Sequence, residues 1–208
     1  MICSVCGQDY GVAHNCAGVA AFMTPEEAAP PPSGFDPIYY LRLAFNIARW
    51  DDMAIRRASR DSNAIGYGVV VWTVSAFLIL LIPLLLARTE IPAPALLLAL
   101  ISQLSMGLAI MAAVMLLQLG LCHLIAKWLF GGKGTYLQLM RPLLLGWCVN
   151  LLIFIPFLGL LAAGIAWTAV LMLVFEEVEG IERLQAFFIS AGINLCFFLI
   201  PSLLPIRH

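Results

Sequence analysis

Charge is the first thing this sequence lacks. Only 11% of its 208 residues are Asp, Glu, Lys or Arg, while 62% are hydrophobic. A soluble domain is about a quarter charged and about half apolar, so the bulk of this chain belongs in lipid. Between Ala95 and Ala126 there is no Asp, Glu, Lys or Arg. At roughly 1.5 Å rise per residue, that run as one helix exceeds the roughly 30 Å hydrocarbon layer of a bilayer. A membrane span follows. The chain also lacks a charge imbalance: a net charge of −1 gives no field for nucleic acid or anionic lipid. No leader is visible either: residues 1–6, MICSVC, have no basic stretch followed by an apolar one. The N-terminus is therefore expected in the cytoplasm, where cysteines stay reduced and free to bind metal.

Those cysteines come first. Cys3 and Cys6 form a C-x2-C knuckle with Gly7 at the turn, and His14 and Cys16 follow within reach of a short loop. Four soft N/S donors suit one tetrahedral Zn²⁺ in a closed structural site. So short a segment has no core, and metal binding would supply its folding energy. The tight His14-x-Cys16 pair departs from an ordinary zinc ribbon, and reduced cysteines in an unstructured tail or redox chemistry are the alternatives. Residues 17–35, with Pro25, Pro30, Pro31, Pro32 and Gly34, read as a semi-stiff linker.

Asp36-Pro37 signals a helix start. Arg42, Asn46 and Arg49 then share one narrow polar stripe on an otherwise apolar surface, as in a helix lying in the interface or against a bundle. Asp51 or Asp52 restarts a second helix bearing Arg56, Arg57 and Arg60, read as a topology signal facing headgroups. The interfacial region is assigned to residues 36–66. Five spans are expected in residues 67–208, at about 67–87, 95–128, 136–155, 157–175 and 184–204. The second is read as one long helix with a small-residue face, Ser105, Ala109 and Ala113, where another helix can approach. Ile155-Pro156 to Gly159 reads as a tight hairpin, with one kinked helix over 142–175 as the alternative.

This arrangement places Arg42, Arg49, Arg56, Arg57, Arg60, Lys127, Lys133, Arg141 and Arg183 inside and only Arg88 and Arg207 outside. That agrees with the positive-inside rule and puts the C-terminus on the far side.

Three features of this pattern resemble a known family. They are His123-x3-Lys127-x3-Gly131-Gly132-Lys133-Gly134-Thr135-Tyr136 after the second span, Pro142 early in the third, and Glu179-Gly180-Ile181 with Arg183 and Ala186 between the fourth and fifth. Over residues 37–204 the chain resembles the Yip (Ypt-interacting protein) domain family of small five-span membrane proteins. The resemblance implies an all-α, five-helix membrane bundle, with the zinc knuckle as an appendage found on some prokaryotic members, and so a prokaryotic plasma membrane. Eukaryotic members are associated with Rab-type GTPases and vesicle traffic, while prokaryotic members have no settled biochemical role.

Chemistry is harder to place. Gly131-Gly-Lys-Gly-Thr135 is not a P-loop, which needs Gly-x4-Gly-Lys-Ser/Thr after a strand; a helix C-cap that turns the chain is the ordinary reading. His123 reads as a capping or inter-helix hydrogen-bonding group. The Glu176, Glu177, Glu179 and Glu182 loop reads as solvated, with cation or proton coordination as the alternative. Asn150 and Asn194 lie inside spans and are expected to bond across the bundle. No nucleophile–base or paired-carboxylate arrangement can be assembled, so a non-enzymatic membrane protein is expected. Its partners are the bilayer, a cytoplasmic protein and, as an open option, a second copy of the chain. The alternatives are a small transporter or channel using His123, Asn150, Asn194 and the Glu176–Glu182 loop, and a membrane enzyme acting on lipid.

The zinc reading predicts about one equivalent of zinc per purified chain and its loss in Cys3→Ser. Elemental analysis measures it; equal metal content in the two proteins would end the idea.

Overall fold

The computed structural model describes residues 36–86 and 93–203, with side chains given for 36–83 and 100–197. The expected zinc knuckle and linker lie outside the described residues. Within them the chain is helical, without a strand. In chain order the helices are α1 (Pro37–Ala48), α2 (Asp52–Arg60), α3 (Ala64–Leu86), α4 (Ala93–Phe130), α5 (Tyr136–Gly146), α6 (Gly159–Val174) and α7 (Arg183–Leu203). A 3-10 segment, Trp147–Phe154, continues α5, and a π-type turn, Phe175–Glu179, continues α6.

Four helical segments are long and apolar enough to cross a bilayer: Ala64–Pro83, Leu100–Phe130, Tyr136–Phe154 and Gly159–Glu179. Arg183–Phe197 of α7 is a shorter apolar helix over the residues whose side chains are described. The long apolar run is a single helix, α4, of 38 residues. Residues 142–175 do not form one kinked helix. The chain leaves the 3-10 segment, turns at 155–158 and starts α6 at Gly159, so that α6 packs back along Trp147–Phe154. Pro156 removes an amide at the turn, and Phe157 beside it takes a left-handed φ of 64° with its ring in the open.

α1 shows how the region before the first long apolar helix is fixed. Asp36 caps it by accepting from the Tyr39 amide at 3.0 Å, and Pro37 opens it with a φ already suited to a helix. Tyr40, Leu43, Ala44 and Ile47 then fall on one face and are buried against the bundle. Gly146 of α5 permits that approach, since a Cβ there would stand 2.9 Å from both Ile47 and Val170 of α6. The opposite side of α1 exposes Ile38, Leu41 and Phe45, with Arg49 over the Phe45 ring. At about 100° per residue the surface facing away from the bundle divides into an apolar half through those three residues and a polar half through Arg42, Asn46 and Arg49. An in-plane helix at a lipid–water boundary needs that division.

A buried polar pair locks α1 to the start of α3. The Tyr40 ring stacks on Tyr67 at 3.8 Å between centroids, and its hydroxyl donates to Asp61 Oδ2 at 2.5 Å. Asp61 Oδ1 accepts from the Asn63 amide at 2.9 Å, so both oxygens are used. Burial, reinforced by the Asp61 carboxylate, holds the Tyr40 phenol well above its ordinary value. Tyr40→Phe leaves a buried carboxylate short of a donor and is expected to cost about 1–3 kcal/mol. Thermal unfolding in detergent micelles reads the loss, and an unchanged midpoint would show that the pair is incidental.

Candidate functional site

The corner between α4 and α5 has a job for each residue of its glycine motif. Gly131 ends α4 with a φ of 69°, which a side chain rarely adopts. The Gly132 amide donates back to Ala126 O at 2.9 Å. The Lys133 amide donates to the Glu179 backbone oxygen at 2.9 Å, and the Gly134 amide to Glu179 Oε2 at 2.9 Å. Thr135 caps α5 in a capping box with Gln138, its own amide donating to Gln138 Oε1 at 3.0 Å. All four amides from Gly132 to Thr135 are spent inside the protein.

Glu179 is the acid they surround. It ends the π-type turn after α6 and is fully buried, whereas a solvated loop was expected. His123 Nδ1 lies 2.5 Å from Glu179 Oε1; a carboxylate only accepts, so the imidazole carries its proton on that nitrogen. With Gly134 on the other oxygen, the carboxylate is satisfied at both ends, the condition for burying one at all. The fit is close: a Cβ at Gly132 would stand 2.6 Å from Glu179 Oε2, and one at Gly134 2.7 Å from Val178 O. Tyr136 stands beside the imidazole, with centroids 5.7 Å apart. An anion does sit against this loop, and it is the protein's own. The amides that would cradle a phosphate are occupied.

The other acids of the loop face outward. Glu177 pairs with Arg56 of α2, and Glu176 accepts from Arg183 Nε at 2.7 Å. Burial, and then the Glu177 charge, push the Asp52 carboxyl above its ordinary value. Arg141 Nη1 donates to Ser59 O at 2.7 Å and fastens α2 to α5. Lys127 and Lys133 join neither group and are exposed, as are Trp128 at 81% and Leu129 at 72%.

The intramembrane polar residues form a separate set. Asn194 of α7 accepts from Gln118 Nε2 of α4 and donates to Thr168 Oγ1 of α6 at 2.8 Å, tying three helices together. Asn150 bonds locally, donating to Trp147 O at 3.1 Å, and not across the bundle as expected. Gln118 and Thr168 escaped the sequence reading. An amide deep in a run without Asp, Glu, Lys or Arg was the available signal for Gln118, shared with Gln103 nearer its start, and Thr168 had none. Among the described residues no group of three or more His, Cys, Asp or Glu is placed to hold a metal ion; Cys3, Cys6, His14 and Cys16 lie outside them.

Comparison with known proteins finds no match among family models, curated proteins or solved structures.

His123 and Glu179 are expected to act as a unit. Glu179→Ala, which strands the imidazole and the Gly134 amide, should cost about 3–5 kcal/mol. A double-mutant cycle with His123→Ala, read by unfolding in micelles, should show coupling above about 1 kcal/mol. Strict additivity would mean that the two groups do not depend on each other.

Proposed function

We propose that the chain is a non-enzymatic, five-span integral membrane protein of the Yip type that recruits a cytoplasmic protein through the corner at 123–136. In this reading α7, helical from Arg183 to Leu203, is the fifth span. The N-terminus is cytoplasmic, and Zn²⁺ on Cys3, Cys6, His14 and Cys16 folds an appended knuckle. The observation that carries the reading is the saturation of the corner. Its loop amides, His123 Nδ1 and Glu179 spend their hydrogen bonds inside the protein, and this favours a rigid platform over a reaction centre.

What the platform presents is chemically mixed. Lys127 and Lys133 flank the exposed Trp128 and Leu129. A buried aromatic anchor inside a charged rim is the usual composition of a protein interface. The matching partner has an apolar pocket with acidic residues around it. The common side of the charged segments is supported by contacts that join them end to end, Arg56 with Glu177, Arg183 with Glu176, and Arg141 with the end of α2. The transporter reading draws less support. Its polar residues fall into two separate sets, His123 with Glu179 at the corner, and Asn150 and Asn194 with Gln118 on one cavity deeper in the bundle.

A photo-reactive amino acid in place of Trp128, in the full chain in its native membrane, should form a discrete adduct with a cytoplasmic protein. Lys127→Glu with Lys133→Glu should reduce that adduct by about tenfold, as for lost charge complementarity worth about 1.4 kcal/mol. Adducts to lipid alone, or an adduct indifferent to charge reversal, would overturn the proposal.

A further inference from the structure

The polar chain inside the bundle has a direction, and that direction points to a ligand. Gly164 O can only accept, so Thr168 donates its single hydroxyl hydrogen there, at 2.8 Å. Thr168 Oγ1 is then the acceptor for Asn194 Nδ2 at 2.8 Å. The Asn194 carbonyl consequently faces Gln118, which must donate through Nε2. The chain ends on Gln118 Oε1, an acceptor with no partner among the described residues, on a side chain only 6% exposed. Asn150 repeats the pattern, because its amide donates to the Trp147 carbonyl and leaves Oδ1 over.

Both residues line one cavity of about 920 Å³, together with Thr168 and Asn194. That volume lies within the roughly 300–1,000 Å³ of small-molecule sites. No charged side chain lines it; beyond these polar groups and the indoles of Trp147 and Trp167 the wall is apolar, and Trp147 Nε1 is a buried donor without a partner among the described residues. Its rim includes Leu160, Leu161, Ile165 and Leu195, each more than half exposed, so it opens sideways into hydrocarbon. Gln118 stands 12 positions before Phe130 on α4, roughly 18 Å of helix rise below the corner and so near mid-depth of a roughly 30 Å layer.

A ligand for this wall supplies a hydrogen-bond donor, can also accept from the Trp147 indole as a hydroxyl does, carries no charge and has a long apolar body. We propose that the cavity binds an uncharged lipid with a free hydroxyl, of the diacylglycerol type, whose hydroxyl donates to Gln118 Oε1. Depth selects against a phospholipid, since its phosphate would have to leave the interface to bring any group to Gln118. The proposal is independent of the corner and of the protein that it recruits.

The test uses the full chain in phosphatidylcholine nanodiscs with a photoactivatable diacylglycerol. Labelling should map to the α6 and α7 peptides that line the cavity, compete with unlabelled dioleoylglycerol, and disappear in Gly164→Phe. Gln118→Leu should lower it about fivefold, in line with one neutral hydrogen bond. Where Gln118→Leu does not fold, Asn150→Leu decides, because that amide bonds only within its own segment; a smaller but measurable drop is expected. A phosphatidylcholine probe that labels the same peptides equally would overturn the proposal, showing an ordinary lipid-facing groove. So would diacylglycerol labelling that ignores the competitor or both leucine variants.

Discussion

A single carboxylate, buried where α4, α5 and the π-type turn meet, constrains this end of the molecule. Glu179 has no access to water, so its charge is tolerable only while His123 and the Gly134 amide hold its two oxygens. Each requirement propagates. Gly134 reaches it because the turn at Gly131 and Gly132 brings the chain back over the end of α4. His123 reaches it only if α4 keeps its register for two further turns. The same turn of chain that buries Glu179 presents Glu177 and Glu176 to Arg56 and Arg183. The long helix, helix α2 and the loop before α7 are thereby fixed from one point.

Below this corner the bundle obeys a different rule. Apolar surface in lipid gives helices no reason to prefer one another over acyl chains, so packing and internal hydrogen bonds carry specificity. Gly146 lets α1 and α6 close on α5, and Trp147 packs edge-on to Trp167 at 4.8 Å. Gln118, Asn194 and Thr168 hold α4, α7 and α6 in register at a depth where water offers no substitute partner.

Much of this was legible in the chain, and the limits were physical. Span positions follow from apolar run length, and the α4–α5 corner from glycines after a charge-free helix. Which of three neighbouring glutamates turns inward did not follow. Composition treats Glu176, Glu177 and Glu179 alike, whereas the π-type turn separates two surface ion pairs from one buried acid. The Tyr40–Asp61 bond was hidden for a related reason: it joins residues 21 positions apart beside a ring stack that no periodicity encodes. Asn150 was misread because an amide in a span has two outlets, and a 3-10 segment offers a carbonyl three residues back.

The two internal polar systems differ in a way that bears on function. At the corner every donor named finds an acceptor and every acceptor a donor, and such a closed system has structural value but nothing left to offer a ligand. The chain through Thr168 and Asn194 starts on a fixed acceptor, Gly164 O, so every hydrogen in it must point the same way. A chain polarised like this cannot close on itself and terminates in an open carbonyl at Gln118. An apolar side chain at position 118 would leave the Asn194–Thr168 bond in place but strand Asn194 Oδ1, so the chain ends in an open acceptor with or without Gln118. What Gln118 adds is to carry that open acceptor to the wall of the adjoining cavity, where a hydrogen-bond donor would satisfy it.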